Sequence, residues 1–153
     1  NGTLLDTRYL DFNNAKCPAE VSLQPNAPAT CDLTGKRVFS SPRLSWNARA
    51  RYEWNAFGNV QAFVSGQYSW RSWSYGTVDD SAFTRIPSYG VLNVSTGLNG
   101  KQGSNAWHVS LWMQNALNKS YYRVIKAGDY GSAFGQLADG RLIGLTVGWD
   151  FKG

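Results

Sequence analysis

Hydrophobic and polar residues alternate along much of this chain in segments of roughly ten residues, with one register apolar and aromatic and the other carrying the charges. In the clearest segment, 43 to 54, Leu44, Trp46, Ala48, Ala50, Tyr52 and Trp54 occupy one register. Arg43, Ser45, Asn47, Arg49, Arg51 and Glu53 occupy the other. Side chains on a strand alternate faces, so such a segment has one apolar face and one charged face. The pattern predicts six strands, at about 2 to 12, 43 to 54, 59 to 73, 89 to 99, 106 to 116 and 141 to 151. Phe63 and Trp112 are aromatic exceptions in polar registers, and Leu4, Leu10 and Phe12 spoil the alternation of the first segment.

The predicted connections alternate in length. Segments 13 to 42, 74 to 88 and 117 to 140 are long, whereas 55 to 58 and 100 to 105 are short and rich in Gly and Asn. Short turns at one end and long loops at the other are the arrangement of an outer-membrane β-barrel, with the long loops outside the cell. The fold expected is therefore all-β: an antiparallel up-and-down transmembrane barrel segment, with 13 to 42 a long extracellular loop. Six strands are too few to close a bacterial barrel, and an open edge in hydrocarbon leaves backbone groups unpaired. The strands are thus expected to belong to a larger barrel.

Composition sharpens this picture. Of the seven Trp, eight Tyr and seven Phe in 153 residues, many sit near predicted strand ends, where amphipathic rings favour a membrane interface. No apolar run is long enough for a spanning helix, and no segment has a helical period. The net charge of +5 is scattered rather than gathered into one basic run, so no nucleic-acid partner is expected. Residues 1 to 11 have neither the basic nor the long apolar region of a signal peptide. Either such a signal has been removed or the chain begins inside a longer protein.

The last strands carry a family resemblance. Trp112-Met113-Gln114-Asn115-Ala116-Leu117-Asn118-Lys119-Ser120-Tyr121 resembles the penultimate-strand motif of TonB-dependent outer-membrane receptors, with Asn115, Asn118, Lys119 and Tyr121 fitting and Ala116 replacing the usual Leu. Gly140-Arg141-Leu142-Ile143-Gly144-Leu145-Thr146-Val147-Gly148-Trp149-Asp150-Phe151 is similar to their final strand, with Gly140 in place of Pro and Ile143 in place of an aromatic. Family chains usually end at that Phe, whereas Lys152 and Gly153 follow it here. Weaker similarities lie at Leu33-Thr34-Gly35-Lys36-Arg37 with Pro42, and at Ile86-Pro87-Ser88-Tyr89 with Leu92-Asn93.

The resemblance covers nearly the whole chain and implies the last six strands of a barrel of about 22. It implies an outer-membrane receptor that imports a scarce nutrient such as a ferric siderophore or an oligosaccharide. Its partners would be outer-membrane lipid, the rest of its own barrel and plug, the small ligand and, through an N-terminal region, the inner-membrane TonB complex. The plug and TonB box are not in this sequence. No cofactor and no catalysis are expected.

Several residues are candidates for particular roles. Cys17 and Cys31, the only cysteines, fall in the first long loop with three prolines between them and are expected to form a disulfide. The other reading, a metal site, has two thiols and no nearby His. Arg49, Arg51, Glu53 and Arg71 share a polar register, where they either line a channel and touch ligand or plug, or form a solvated ladder of charge pairs. Trp73, Tyr75, Tyr121, Tyr122 and Tyr130 stand at strand ends or in loops, placed either to stack on a ligand or to serve as girdle and loop packing. His108, the only histidine, has no nucleophile motif to accompany it. Asp79 and Asp80 are adjacent carboxylates without the ligand spacing of a dedicated calcium loop. The alternative architecture is a soluble secreted β-sandwich that binds carbohydrate. It differs in burying its apolar register between two sheets.

Overall fold

A computed structural model of the chain describes residues 1–128 and 132–151; Tyr130, Lys152 and Gly153 lie outside the described residues. Over the described residues the structure is predominantly β and antiparallel, and its strands do not close a barrel. Its main sheet has six strands in the order β1 (Gly2–Leu4), β2 (Leu44–Phe57), β3 (Val60–Arg71), β6 (Tyr89–Gln102), β7 (Asn105–Gln114) and β10 (Leu142–Asp150). Two small hairpins interrupt this series: β4 (Ser74–Tyr75) with β5 (Arg85–Ile86), and β8 (Tyr122–Ala127) with β9 (Ala133–Leu137).

Five of the six expected strands appear with bounds shifted by at most a few residues. The turns are tighter than expected, two residues each, Gly58 with Asn59 and Gly103 with Ser104. Their glycines take φ of +51° and +63° with no atom near a would-be Cβ. Backbone conformation alone therefore demands glycine there. The expected strand 2 to 12 is a correction: only Gly2–Leu4 pairs regularly, with Gly2 opposite Trp46. Beyond it the chain forms an irregular ladder with 31 to 43, through Leu5 N to Arg43 O, Val38 N to Thr7 O and Gly35 N to Tyr9 O, and ends at an isolated bridge between Ala15 and Cys31. The apolar residues that spoil the alternation of 2 to 12 lie along this irregular stretch. The expected loops 74 to 88 and 117 to 140 are also corrected, since each contains strands.

The chain divides into two compact units. The first comprises 1 to 46, 70 to 89 and 120 to 138, and its buried side chains include Ala15, Cys17, Leu33, Ile86 and Ile125, with Ser74, Asp79, Ser81 and Thr84 among them. It also holds a one-turn helix, α1 (Ala19–Ser22), and the Cys17–Cys31 disulfide. The second unit comprises 47 to 69, 90 to 119 and 139 to 153, and its described residues bury little beyond Ala62, Phe63 and Asn115.

The second unit has so small a core because its apolar register is not covered. Across β6, β7 and β10 the pairing sets Val94, Met113 and Ile143 in one row, Leu98, Val109 and Val147 in another, and Gly100, Trp107 and Trp149 in a third. Leu145 and Val147 are each 66 % exposed and Tyr52 on β2 is 67 % exposed. The opposite face carries Ser95, Asn99, His108, Ser110 and Thr146.

The aromatic exceptions on that polar face share one explanation. Phe63 packs where a Cβ on Gly97 would come within 2.8 Å of its ring, and the indole of Trp112 fills the space beside Gly144. Each ring covers a neighbouring glycine and so restores packing that the glycine cannot supply. The Trp112 indole also donates to Thr146 Oγ1 at 3.1 Å.

Candidate functional site

In the first unit the short β4–β5 hairpin sets Tyr75 directly opposite Arg85, and Trp73 precedes it by one residue. Two guanidinium groups consequently lie over the Trp73 ring, Arg37 at 4.8 Å and Arg85 at 4.6 Å from its centre, with Tyr75 edge-on at 5.4 Å. Guanidinium groups are attracted to the negative face of an indole. Close by in sequence, Arg71 donates to Ser74 Oγ at 3.2 Å and reaches Tyr89 Oη at 3.5 Å, while its guanidinium carbon lies 5.6 Å from the Tyr89 ring centre. Tyr121 stacks on Tyr89 with centroids 4.0 Å apart. Two cation–aromatic groups therefore form in this unit, Arg37–Trp73–Arg85–Tyr75 and Arg71–Tyr89–Tyr121. Both combine flat π surface with positive charge, a pairing suited to aromatic or anionic ligands.

The other expected site residues do not join them. Tyr122 pairs with Leu137 in the β8–β9 hairpin and lays its ring against Gly135. Arg51 and Arg49 belong to the second unit. Arg51 stacks on Phe63 at 3.8 Å and pairs with Glu53 at 2.6 Å, so its charge is already engaged. Arg49 borders a polar depression of about 210 Å³ with Ser65, Gln67, Asn93 and Gln114. His108 borders a larger one of about 460 Å³ with Asn59, Gln61, Asn99, Lys101 and Asp150, and its imidazole lies against Gly148.

Sequence reasoning missed Arg37 and Arg85 as site residues and noticed Tyr89 only as part of a motif. No periodic signal marks them, because their proximity to Trp73 and Tyr121 depends on a two-residue hairpin and on loop paths. It also missed Glu20. This carboxylate on α1 accepts from the Ser81 hydroxyl at 2.7 Å and from Ala82 N at 2.9 Å, tying together loops 61 residues apart in sequence. Burial alone would raise the Glu20 carboxyl, but the Ala82 and Ser81 hydrogen bonds outweigh it and hold the group below its ordinary value. Asp80 is shifted the other way: burial raises it, and the Arg37 N–H and the charges of Lys36 and Arg37 only partly offset that.

The residues behind the family resemblance are mostly structural. Asn115, at φ +49°, is buried; its Nδ2 donates to Lys119 O and Asp139 O, and its Oδ1 accepts from Lys119 N. Asn118, also left-handed at φ +50°, accepts from Arg141 N at 3.0 Å. These bonds end β7 and set the start of β10. Asparagine suits both positions because it tolerates left-handed backbone while bonding the chain locally.

No protein-family model matches the chain, and no curated protein matches it. Among solved structures, the chain is similar in fold to BauA, the ferric preacinetobactin receptor from Acinetobacter baumannii, with a TM-score of 0.63 and 18% identity. The likeness covers 77% of this chain but only 16% of that one. At this identity the likeness shows shared fold alone.

Proposed function

We propose that this chain forms the C-terminal strands of a TonB-dependent outer-membrane receptor barrel that imports a scarce nutrient without chemistry. The observation that carries the reading is the uncovered apolar face of the main sheet. Leu111, Ile143, Leu145, Val147 and Trp149 stand exposed opposite a face of Ser, Asn, His and Thr, as lipid-facing and lumen-facing residues alternate in a transmembrane barrel. A β-sandwich would bury that register against a second sheet. The two C-terminal sequence motifs and the fold likeness to part of a ferric siderophore receptor support the same reading.

In this reading the rest of the barrel supplies the strands that pair with the edges of β1 and β10. The plug and the inner-membrane TonB complex supply gating and energy. The cation–aromatic groups around Trp73 and Tyr89 are this chain's contribution to a surface for a bulky ligand. A ferric siderophore is the preferred class and an oligosaccharide the alternative.

The test is fractionation of the native polypeptide that contains these residues, followed by its intact mass. Recovery from outer membranes only in detergent, at a mass several times 16.9 kDa, is the expected result. A detergent-free, soluble polypeptide of these 153 residues would overturn the receptor reading in favour of the sandwich.

A further inference from the structure

The first unit holds a small cavity that the receptor reading does not use. Its volume is about 230 Å³, below the roughly 300–1,000 Å³ of pockets for drug-sized ligands, so it suits a small occupant. Its walls are mostly apolar, built from Phe12, Ala15, Leu33, Val78 and Ala127. Lys16, Thr77 and Asp79 complete the lining. The Thr77 hydroxyl is engaged with Thr84 Oγ1 at 2.8 Å, which leaves the ammonium and the carboxylate to define the polar chemistry.

The chain itself does not neutralise these charges at the cavity. Asp79 is only 9 % exposed, and its Oδ1 is buried without a hydrogen-bond partner. Lys16 is exposed and borders the same cavity, but makes no ion pair with Asp79 among the described residues. A buried carboxylate oxygen with no donor is costly, so the Asp79 side of the cavity calls for a positively charged hydrogen-bond donor. The Lys16 side calls for an acceptor of opposite charge.

We propose that this cavity binds a small zwitterion with a hydrocarbon side chain, of the apolar α-amino acid class. Its ammonium donates to Asp79 Oδ1, its carboxylate accepts from Lys16 Nζ, and its side chain lies against Phe12, Leu33 and Val78. Simpler ligands match only part of the lining. An amine without a carboxylate leaves Lys16 as a repelling charge, an anion without an ammonium leaves Asp79 unpaired, and a neutral hydrocarbon answers neither group. The site goes beyond the receptor reading and does not depend on it.

Ligand-observed NMR titration of the purified full-length protein with L-leucine tests the proposal. Saturable binding is expected with a Kd in the region of about 10⁻⁴–10⁻³ M, ordinary for so small a ligand. L-leucine methyl ester lacks the carboxylate charge and 4-methylpentanoate lacks the ammonium. Each should bind about tenfold or more weakly, for loss of one charge-assisted hydrogen bond. Asp79→Asn and Lys16→Ala should weaken leucine by similar factors. Lys16→Ala should not weaken the ester further, and Asp79→Asn should not weaken 4-methylpentanoate further, because each analogue already lacks the group that the altered side chain holds. Thiol counting on each variant confirms that the Cys17–Cys31 disulfide, and with it the loop unit, has formed.

Absence of saturable leucine binding up to about 10 mM, well above that range, would overturn the proposal. So would equal affinity for leucine and both analogues, since neither charge would then be read, or leucine affinity that both variants leave unchanged. A protein that ignores leucine but loses stability equally on Lys16→Ala and Asp79→Asn would show that the two side chains serve each other, and the zwitterion site would be rejected.

Discussion

The two units of this molecule are held by different physics. In the second unit, periodic backbone pairing does nearly all the work: nine consecutive residue pairs run between β7 and β10, while one face of the sheet stays uncovered. In the first, individual side chains hold irregular backbone, through one disulfide, the Glu20 bonds to Ser81 and Ala82, and guanidinium groups over rings. The comparison predicts that the sheet tolerates substitution on its polar face and is sensitive to solvent preference on its apolar face. The loop unit should instead fail at single contacts.

The largest effect should come from charge on the apolar face. On the proposed barrel reading, Leu145→Arg or Val147→Arg should destabilise the protein folded into lipid vesicles by up to about 4 kcal/mol, the cost of a basic residue on a lipid face, which falls with distance from the bilayer midplane. Ser110→Arg, on the polar face of the same sheet, should cost far less. Denaturant unfolding from vesicles measures both, and equal costs on the two faces would break the distinction between them. Next in size is the loss of the disulfide. Cys17→Ser with Cys31→Ser should remove about 3 kcal/mol of local stability, as expected for a loop of that length. Limited proteolysis should then cut within 13 to 42 while β7 and β10 stay protected. Simultaneous loss of the sheet would mean that the two units do not separate energetically in this way.

The legibility of the sequence follows the same division. Strands β2, β3, β6, β7 and β10 could be read from alternation because one face avoids polar side chains and the period of two is strict. Phe63 and Trp112 looked like errors in that pattern because the glycines they cover, Gly97 and Gly144, stand on neighbouring strands and become visible only once the register is known. In the loop unit no period exists. Gly2–Leu4 is a strand and the following residues are not, although Leu5, Thr7 and Tyr9 alternate, because the partner segment 31 to 43 meets them through irregular single bonds. The disulfide was legible, since two cysteines in one loop have few other partners. The meeting of Arg37 and Arg85 on Trp73, and of Glu20 with Ser81, was not legible, because nothing local to either sequence encodes it.

Smaller effects should separate the two reasons for glycine within the sheet unit. Gly144→Val drives a branched side chain into the Trp112 indole and should cost about 1–3 kcal/mol by overpacking. Trp112→Ala in the Gly144→Val background should recover part of that loss, since the clash is removed. Gly58→Ala meets no neighbouring atom, so only its left-handed φ matters, and the cost should be about 1 kcal/mol. Trp112→Ala should not rescue it. A common response of both glycine variants to Trp112→Ala would mean that their costs have one origin.

The smallest and most conditional effect belongs to Glu20. Glu20→Gln retains an acceptor for the Ser81 hydroxyl but loses the charge on the bonds, which should cost about 1 kcal/mol at neutral pH. Its pH dependence has a definite sign. The folded carboxyl titrates below its ordinary value of 4.5, so the charged form is favoured by folding, and its contribution is fully present above about pH 4.5. That contribution declines as pH falls through the lowered folded value, where the carboxylate takes up its proton. The difference in loop-unit stability between the unaltered protein and Glu20→Gln should therefore be constant from neutral pH to about 5 and narrow on further acidification. Proteolysis of the 77 to 84 loop at a series of pH values reads it directly. A gap that widened in acid would mean that Glu20 does not act through its charged form, and that the contact between the two loops depends on shape alone.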